Sequence, residues 1–430
     1  MCEIFKSAFS QLDSWQKKEF LSVLLLAFLI PISWRISIFA LVLFLVLAIV
    51  RRIAVRRSSK VESSGSRWWF LLFAMFYVIH CISMFYTENL AEGWATLEKR
   101  LSFLVLPLMF LMFDFSYLSR QRVRVALYAF SAGVLAVVCA DLATAVWDVA
   151  LRGASAGRFF DTQLSSEHHA YISMHVCLAI IFCFSEFVRG SKSLALLHKL
   201  VLALSLVLFT VFTVLLSSRA GVLCMVAVYG LLLLWMIFVC KMYRAGVAAA
   251  VVAAVAVAVV LVAMPNAVQR IGNTFKSIGS DQKTEDVRVT ILRSTVPVAL
   301  DNWLTGVGVG DKIDAYMEQY RKDNNTICLE REYNSHNQFV DTTTVTGIVG
   351  LALLLSFFVV PAVLAVRRRR FSVVYALFLF MIFFNALFES VFEKQAGIMF
   401  FVFFFVLMFN AEFVAVGESL SAKAIGNDSE

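Results

Sequence analysis

Apolar residues in this chain come in long unbroken runs, not in the alternation of a strand or the narrow stripe of a soluble helix. A helix needs roughly 20 residues to cross the hydrocarbon, and hydropathy marks about twelve runs as candidates. They lie near 20 to 34, 36 to 50, 68 to 86, 101 to 118, 123 to 147, 169 to 188, 198 to 216, 221 to 240, 245 to 264, 342 to 366, 372 to 388 and 396 to 416. The first two are short and are expected to form a tight hairpin. One long hydrophilic stretch interrupts the series, Pro265 to Val340, ending in Asn334-Ser335-His336-Asn337-Gln338. The pattern predicts an all-α, polytopic membrane protein of about 12 transmembrane helices with one large external loop subdomain. Residues 1–264 would hold the first nine spans, 265–340 the loop subdomain with the chemistry, and 341–430 the remaining spans and a tail.

Composition agrees and charge adds an orientation. With 60% hydrophobic and 16% charged residues and a mean hydropathy of +0.81, a soluble domain is excluded. Alternate loops are basic: Arg51 to Lys60, Arg120 to Arg124, Arg189 to Lys199, Lys241 to Arg244 and Arg367 to Arg370. Short basic loops stay cytoplasmic, so both termini are expected inside and the hydrophilic stretch outside, in the periplasm of a Gram-negative inner membrane. The net charge of +8 is carried by these span-flanking clusters, which lack the aromatic interleaving of a nucleic-acid surface. The early runs have no small-residue cleavage site, so no cleavable signal is expected. The eight cysteines are scattered, with Cys328 alone in the hydrophilic stretch, and give neither a disulfide framework nor metal spacing. Segment 58 to 66 reads as a flexible loop, the tail after Gly417 as loose, and the Ala/Val run Ala245 to Ala263 as close helix packing. The Phe-rich spans, including Phe400 to Phe405, read as lipid-facing and packing surface.

Several polar residues have functional alternatives to a structural role. His80, Asp141, His175, Asp341 and Asn385 fall in the outer halves of their spans, which predicts a cavity opening outward. Arg219, in Ser217-Ser218-Arg219-Ala220-Gly221, stands at an outside turn where arginine is disfavoured. An anion partner explains it, as does snorkelling to headgroups. Winding Asp286 to Ala299 as a helix centres Arg288 on an apolar arc with Ile291, Leu292, Thr295 and Val298, unless Pro297 ends or kinks it. A buried salt bridge and a phosphate site are both open there. His336, flanked by Asn334, Ser335, Asn337 and Gln338, suits a base acting on a sugar hydroxyl, although a lone histidine also serves structure. Glu389 and Glu393 are placed to orient His336 or to form surface pairs. Gly306-Val307-Gly308-Val309-Gly310 reads as a flexible turn, not a dinucleotide loop, since no parallel strand precedes it. Asp311, Asp314 and Glu318 share a helical face, but no full ligand set accompanies them, so neither metal nor other cofactor is expected.

Taken in order, Ser-Ser-Arg219-Ala-Gly, Val-Arg288-Val-Thr-Ile-Leu, Asn302-Trp-Leu-Thr-Gly-Val-Gly-Val-Gly-Asp311, and His336-Asn-Gln-Phe-Val with Thr346-Gly-Ile-Val-Gly-Leu351 form a recognisable set. The set resembles the O-antigen ligase and polymerase superfamily of bacterial envelope glycosyltransferases, from about Ser217 to Gly397. The stretch Glu389 to Gly397 looks more like ligases of the Bacteroidetes type. The resemblance implies a GT-C-type fold and, for the ligases, transfer of a glycan from undecaprenyl pyrophosphate to the outer sugar of lipid A-core. Arg219 and Arg288 would then hold the pyrophosphate and His336 would serve as base or orient the acceptor, with Asn334, Asn337 and Glu389 lining the substrate. Repeat-unit polymerases and protein O-glycosyltransferases share the motifs, and a polar-lipid transporter is the alternative from another class, though neither a repeat nor midplane charges point to it.

Overall fold

The structure, a computed structural model of the 430-residue chain, describes residues 2–54, 66–155, 158–159, 164–165, 168–190, 194–216, 218–243, 287–370 and 372–415. The expected ninth span, most of the 58 to 66 loop, the stretch up to residue 286 and the tail after Gly417 lie outside the described residues. All regular structure among the described residues is helical. Among the described residues seven helices are long and apolar enough to cross a membrane: Trp34–Ala54, Arg120–Arg152, His169–Arg189, Leu196–Leu215, Arg219–Val239, Gln338–Arg367 and Gln395–Val414. This is the architecture of a polytopic membrane protein.

Other expected spans fold as shorter helices. Ser14–Leu29 pairs with Trp34–Ala54 as the expected hairpin. Trp69–Ser83 and Val373–Ala386 have 15 and 14 residues. The run expected as a span over 101 to 118 gives only Ser102–Met112, 11 residues with Pro107 inside. At 1.5 Å per residue that is about 16 Å, half of a hydrocarbon core. An amphipathic helix, Leu90–Arg100, leads directly into it.

The expectation for the Phe-rich span is corrected. The 18-residue apolar window of Gln395–Val414 is entirely buried at the centre of the bundle, so of the two expected roles the span takes packing and not lipid-facing. A helix apolar on all sides is stable in the middle of other apolar helices, and phenylalanine rings give it specific partners. Phe405 meets Phe73 edge-on at 4.7 Å, Phe404 meets Phe130 at 4.7 Å, and Phe401 meets Phe392 at 4.9 Å.

The bundle has two chemically distinct ends. At one, arginines from the basic loops close onto neighbouring helices: Arg51 Nε lies 2.8 Å from Glu19, Arg124 Nε 2.7 Å from Glu186, and Arg368 donates to Phe413 O at 2.6 Å. At the other end sit the helices Val287–Asp301 and Lys312–Lys322, with a small core of Ile291, Val298, Tyr316, Tyr320 and Cys328. His80, His175 and Asn385, expected to line an outward cavity, are buried against neighbouring residues. His80 Nδ1 bonds Phe76 O at 2.6 Å, His175 packs on Phe400 at 4.5 Å, and Asn385 Nδ2 donates to Met381 O at 2.8 Å.

The glycine-rich segment expected as a loose turn is instead a lock. Helix Gln338–Arg367 breaks at Gly347, whose φ of 61° and ψ of −155° are non-helical. The carbonyls freed by the break are taken up by the loop: Val307 N–H donates to Thr344 O at 2.7 Å and Gly308 N–H to Val345 O at 3.2 Å. Ile348 N–H returns a bond to Trp303 O at 2.7 Å. Backbones this close leave no room for side chains. A Cβ on Gly347 would stand 2.3 Å from Leu304 O, and one on Gly306 would stand 2.3 Å from Val345 O. Gly347→Ala and Gly306→Ala should therefore lower the thermal unfolding temperature in detergent, each costing about 1–3 kcal/mol from backbone strain before the collision is counted. Gly230→Ala, where a Cβ meets nothing within 4 Å, is the control and should melt like the parent; equal melting of all variants would refute the lock.

Candidate functional site

His336 lies in a turn built by its polar neighbours. Its backbone is left-handed, φ 46°, a conformation that costs a side-chain-bearing residue about 1–2 kcal/mol and must be held in place. The Asn334 side-chain oxygen accepts the His336 N–H at 3.1 Å, and Ser335 Oγ accepts the Asn337 N–H at 3.1 Å. Asn337 caps the following helix, its Oδ1 accepting from Phe339 N at 2.9 Å and Val340 N at 3.1 Å. The oxygens of both asparagines expected to line a substrate are thus engaged with backbone in this turn.

The loop between Val373–Ala386 and Gln395–Phe409 is fastened to the same turn. Asn337 Nδ2 donates to Leu387 O at 3.1 Å, and Phe392 N–H donates to Gln338 Oε1 at 2.7 Å. This brings Glu389 Oε1 to 3.1 Å from His336 Nδ1, while Glu389 Oε2 lies 4.0 Å from Arg288. The expected arc over Val287–Asp301 buries Ile291, Thr295, Val298 and Ala299, and the helix passes through Pro297 without stopping. Arg288 shares that face, yet its side chain keeps 36% of its surface accessible. Glu389 is held below its ordinary value of 4.5. Burial pushes it up, but the His336 hydrogen bond and the charges of His336, Arg288 and His168 outweigh burial.

Beneath this contact set lies a buried ionic cluster. Lys312 Nζ sits 3.2 Å from Asp341 Oδ2 and 2.5 Å from Glu393 Oε2. Burial disfavours the ammonium, but the two carboxylates more than compensate and hold it above 10.5. Asp341 Oδ1 also accepts from Ser335 Oγ at 2.6 Å and from Tyr316 OH at 3.0 Å. The same carboxylate therefore anchors the serine beside His336. Arg100, buried at the end of Leu90–Arg100, feels the charges of Glu393 and Asp341.

Arg219 is the exposed first residue of its helix, with Ser218 as the cap accepting Gly221 N–H at 3.3 Å. That helix is joined to the site by Cys224, whose sulfur lies 3.3 Å from Asn385 Nδ2, two residues before the loop that carries Glu389 begins. Across the site, His168 and His169 begin the helix His169–Arg189 with ring centroids 4.3 Å apart. Both lie in the field of Glu389, Lys394 and His336. Burial first, then the charges of His169, Lys394 and His336, keep His168 below the ordinary histidine range, while Glu389 opposes them.

The structure thus brings together His336, Glu389 and Arg288, with Asn334 and Asn337 shaping the turn and Arg219 at the neighbouring helix start. Sequence reading did not find Lys312, Arg100, His168 or His169. His168-His169 was visible as a doublet at the start of an apolar run; Lys312 and Arg100 carried no local signal. Glu393, expected near His336 or at the surface, pairs with Lys312. The acidic face is dispersed: Asp311 accepts the N–H groups of Glu88 at 2.9 Å and Asn89 at 2.7 Å, and Asp314 accepts from Asn89 Nδ2 at 3.1 Å. Glu318 pairs with Lys322 at 2.7 Å, and no group of metal-ligating side chains occurs among the described residues.

Residues 204–355 match a family model described as O-antigen ligase. The match contains Arg219, Arg288, Asn334, His336 and Asn337 and stops before Glu389. No curated protein matches the chain.

Glu389 gives a pH test of the geometry. A carboxylate favoured by the fold adds stability above its unfolded pKa and loses it as pH falls through the folded one. Since Glu389 is shifted below 4.5, Glu389→Gln should be less stable than the parent by about 1.5–3 kcal/mol at pH 7, the range for a hydrogen bond to a charged group. The gap in unfolding temperature should close as pH falls below that value. A gap that stays constant down to acid pH would mean that the carboxylate's charge has no part in the contact.

Proposed function

We propose that this chain, whose residues 204–355 match a family model described as O-antigen ligase, is a member of the O-antigen ligase superfamily and transfers a glycan from undecaprenyl pyrophosphate to the outer sugar of lipid A-core. The reaction takes place at the periplasmic face of the bacterial inner membrane, on a GT-C-type fold, and inverts the anomeric centre. The observation that carries this reading is the pairing of His336 with Glu389, with Arg288 on the carboxylate's other oxygen.

A proton on His336 Nδ1, donated to Glu389, leaves the lone pair on Nε2. That nitrogen takes the proton of the acceptor hydroxyl as its oxygen attacks the anomeric carbon. The bond from that carbon to the pyrophosphate oxygen breaks, and undecaprenyl pyrophosphate leaves with the electron pair. Arg288 and Arg219 neutralise the charge that develops on the leaving group, a task suited to the planar guanidinium fork. At 4.0 Å the Arg288–Glu389 contact is longer than a hydrogen bond. Asn334 keeps its side-chain amide N–H groups for sugar hydroxyls, and Asn337 and Glu389 set the shape of the acceptor side. Metal is not required, since arginines serve the leaving group, and Asp311 and Asp314 are bonded to the segment at Asn89.

With purified protein, lipid-linked donor and acceptor, His336→Ala should retain donor binding and lose transfer by about 10²–10⁴-fold, the contribution of a positioned acid–base group. Arg219→Lys and Arg288→Lys should both fail, because lysine lacks the bidentate fork, and the parent should turn over in EDTA. In cells, a null strain should carry core lipid without O-chain and accumulate polymer on undecaprenyl pyrophosphate. A single repeat attached to core would instead identify a polymerase, and glycan missing from protein alone would identify a protein O-oligosaccharyltransferase.

Orientation has its own test. Cys328, expected to report the outside, is fully buried and is a poor target for a thiol reagent. Its neighbour Ile327 is 58% exposed. In an otherwise cysteine-free chain, Ile327→Cys should react with a membrane-impermeant maleimide in intact spheroplasts; reaction only after permeabilisation would invert the topology.

A further inference from the structure

At the end of the bundle opposite His336, a cavity of about 290 Å³ opens where the starts of Arg120–Arg152 and Val373–Ala386 meet the ends of His169–Arg189 and the central Phe helix. Its polar lining is unusual for a membrane protein interior, with Arg120, Arg124 and Arg189 facing the same space as Glu186 and Glu412. Both carboxylates are buried and already engaged. Glu186 is gripped by Arg124 Nε at 2.7 Å and by Tyr128 OH at 2.6 Å, and Glu412 is paired with Arg120. Arg189 has no carboxylate among the described residues; its guanidinium lies over the Trp235 ring at 5.7 Å. Setting the three arginines against the two glutamates leaves one positive charge over.

The cations are also the accessible part. Arg120 and Arg124 keep 50% and 36% of their side-chain surface, Arg189 is exposed, and the helix that begins at Arg120 has no side-chain cap on its first amides. Such amides add partial positive charge at this end of the bundle. Gln121 and Ser372 add polar groups at the rim, while Leu127, Phe182 and Met408 form a buried apolar wall. A ligand that satisfies all of this needs an anionic oxygen group at one end and hydrocarbon at the other.

We propose that this cavity binds the phosphate of an anionic phospholipid, with the glycerol and upper acyl chain against the apolar wall. Free phosphate shares the chemistry of the arginines but leaves that wall uncovered, which favours the lipid as the source. The site is separate from the glycan-transfer site and does not depend on which substrate that site uses.

Native mass spectrometry of the full chain in detergent, titrated with phosphatidylglycerol, phosphatidylcholine or inorganic phosphate, decides the matter. Phosphatidylglycerol adducts should exceed phosphatidylcholine adducts. Arg189→Gln, which breaks no ion pair among the described residues, should weaken them about fivefold, the effect of one basic residue at an anionic lipid. Arg189→Lys, keeping the charge, should bind as the parent does. Equal retention of the two lipids, an adduct indifferent to Arg189→Gln, loss in the lysine variant as well, or displacement by millimolar phosphate would each overturn the proposal.

Discussion

Lys312 holds the working end of this molecule together. Its ammonium is buried between Asp341, on the first turn of a long helix, and Glu393, in the loop that also carries Glu389. Each of these charges would cost several kcal/mol to bury alone. None of the three segments can therefore take its native place without the others, and the His336 turn, clasped through Ser335 to Asp341, forms as part of the same closure. A network of this kind adds little net stability compared with apolar packing. What it contributes is register, since His336, Glu389 and Arg288 come from segments far apart in the chain and must meet within a few tenths of an ångström.

The central Phe helix provides the fixed body on which that closure rests. Its rings interlock edge-to-face with helices from both halves of the sequence, and such contacts fix orientation as well as burying area. One continuous apolar core thus runs from the hairpin at the start of the chain to Val414. The polar chemistry is confined to its rims. The acidic and basic groups at the arginine-rich end close the bundle there in the same manner as Lys312 does at the other.

Much of this was legible in the sequence, for identifiable reasons. Apolar runs announce membrane helices because hydrocarbon imposes their length, and the stripe Ile291, Thr295, Val298 announced the face on which Arg288 lies because helical spacing is local. The turn around His336 was visible as a crowd of small polar side chains. What stayed hidden depends on contacts between distant positions. Lys312 and Glu393 are separated by 81 residues, and nothing near either one indicates the other. Hydropathy also cannot distinguish protein from lipid as the apolar surroundings, so the fully buried Phe-rich helix read as lipid-facing as well as packing surface. The same blindness turned Ser102–Met112 into an expected span and left Leu90–Arg100 unseen, since a run of apolar residues does not show that a proline-containing helix stops halfway.

The break at Gly347 bears on how the protein is made. A helix entering hydrocarbon with carbonyls unpaired is incomplete, because the bilayer has no water to supply the missing donors. Here the donors come from Val307 and Gly308, which the ribosome has already released when Gly347 emerges. Seating of the long helix is thereby coupled to docking of the preceding loop. A chain whose 303–308 segment is misplaced is therefore left with an unfinished helix, so an error in one segment is passed directly to the other.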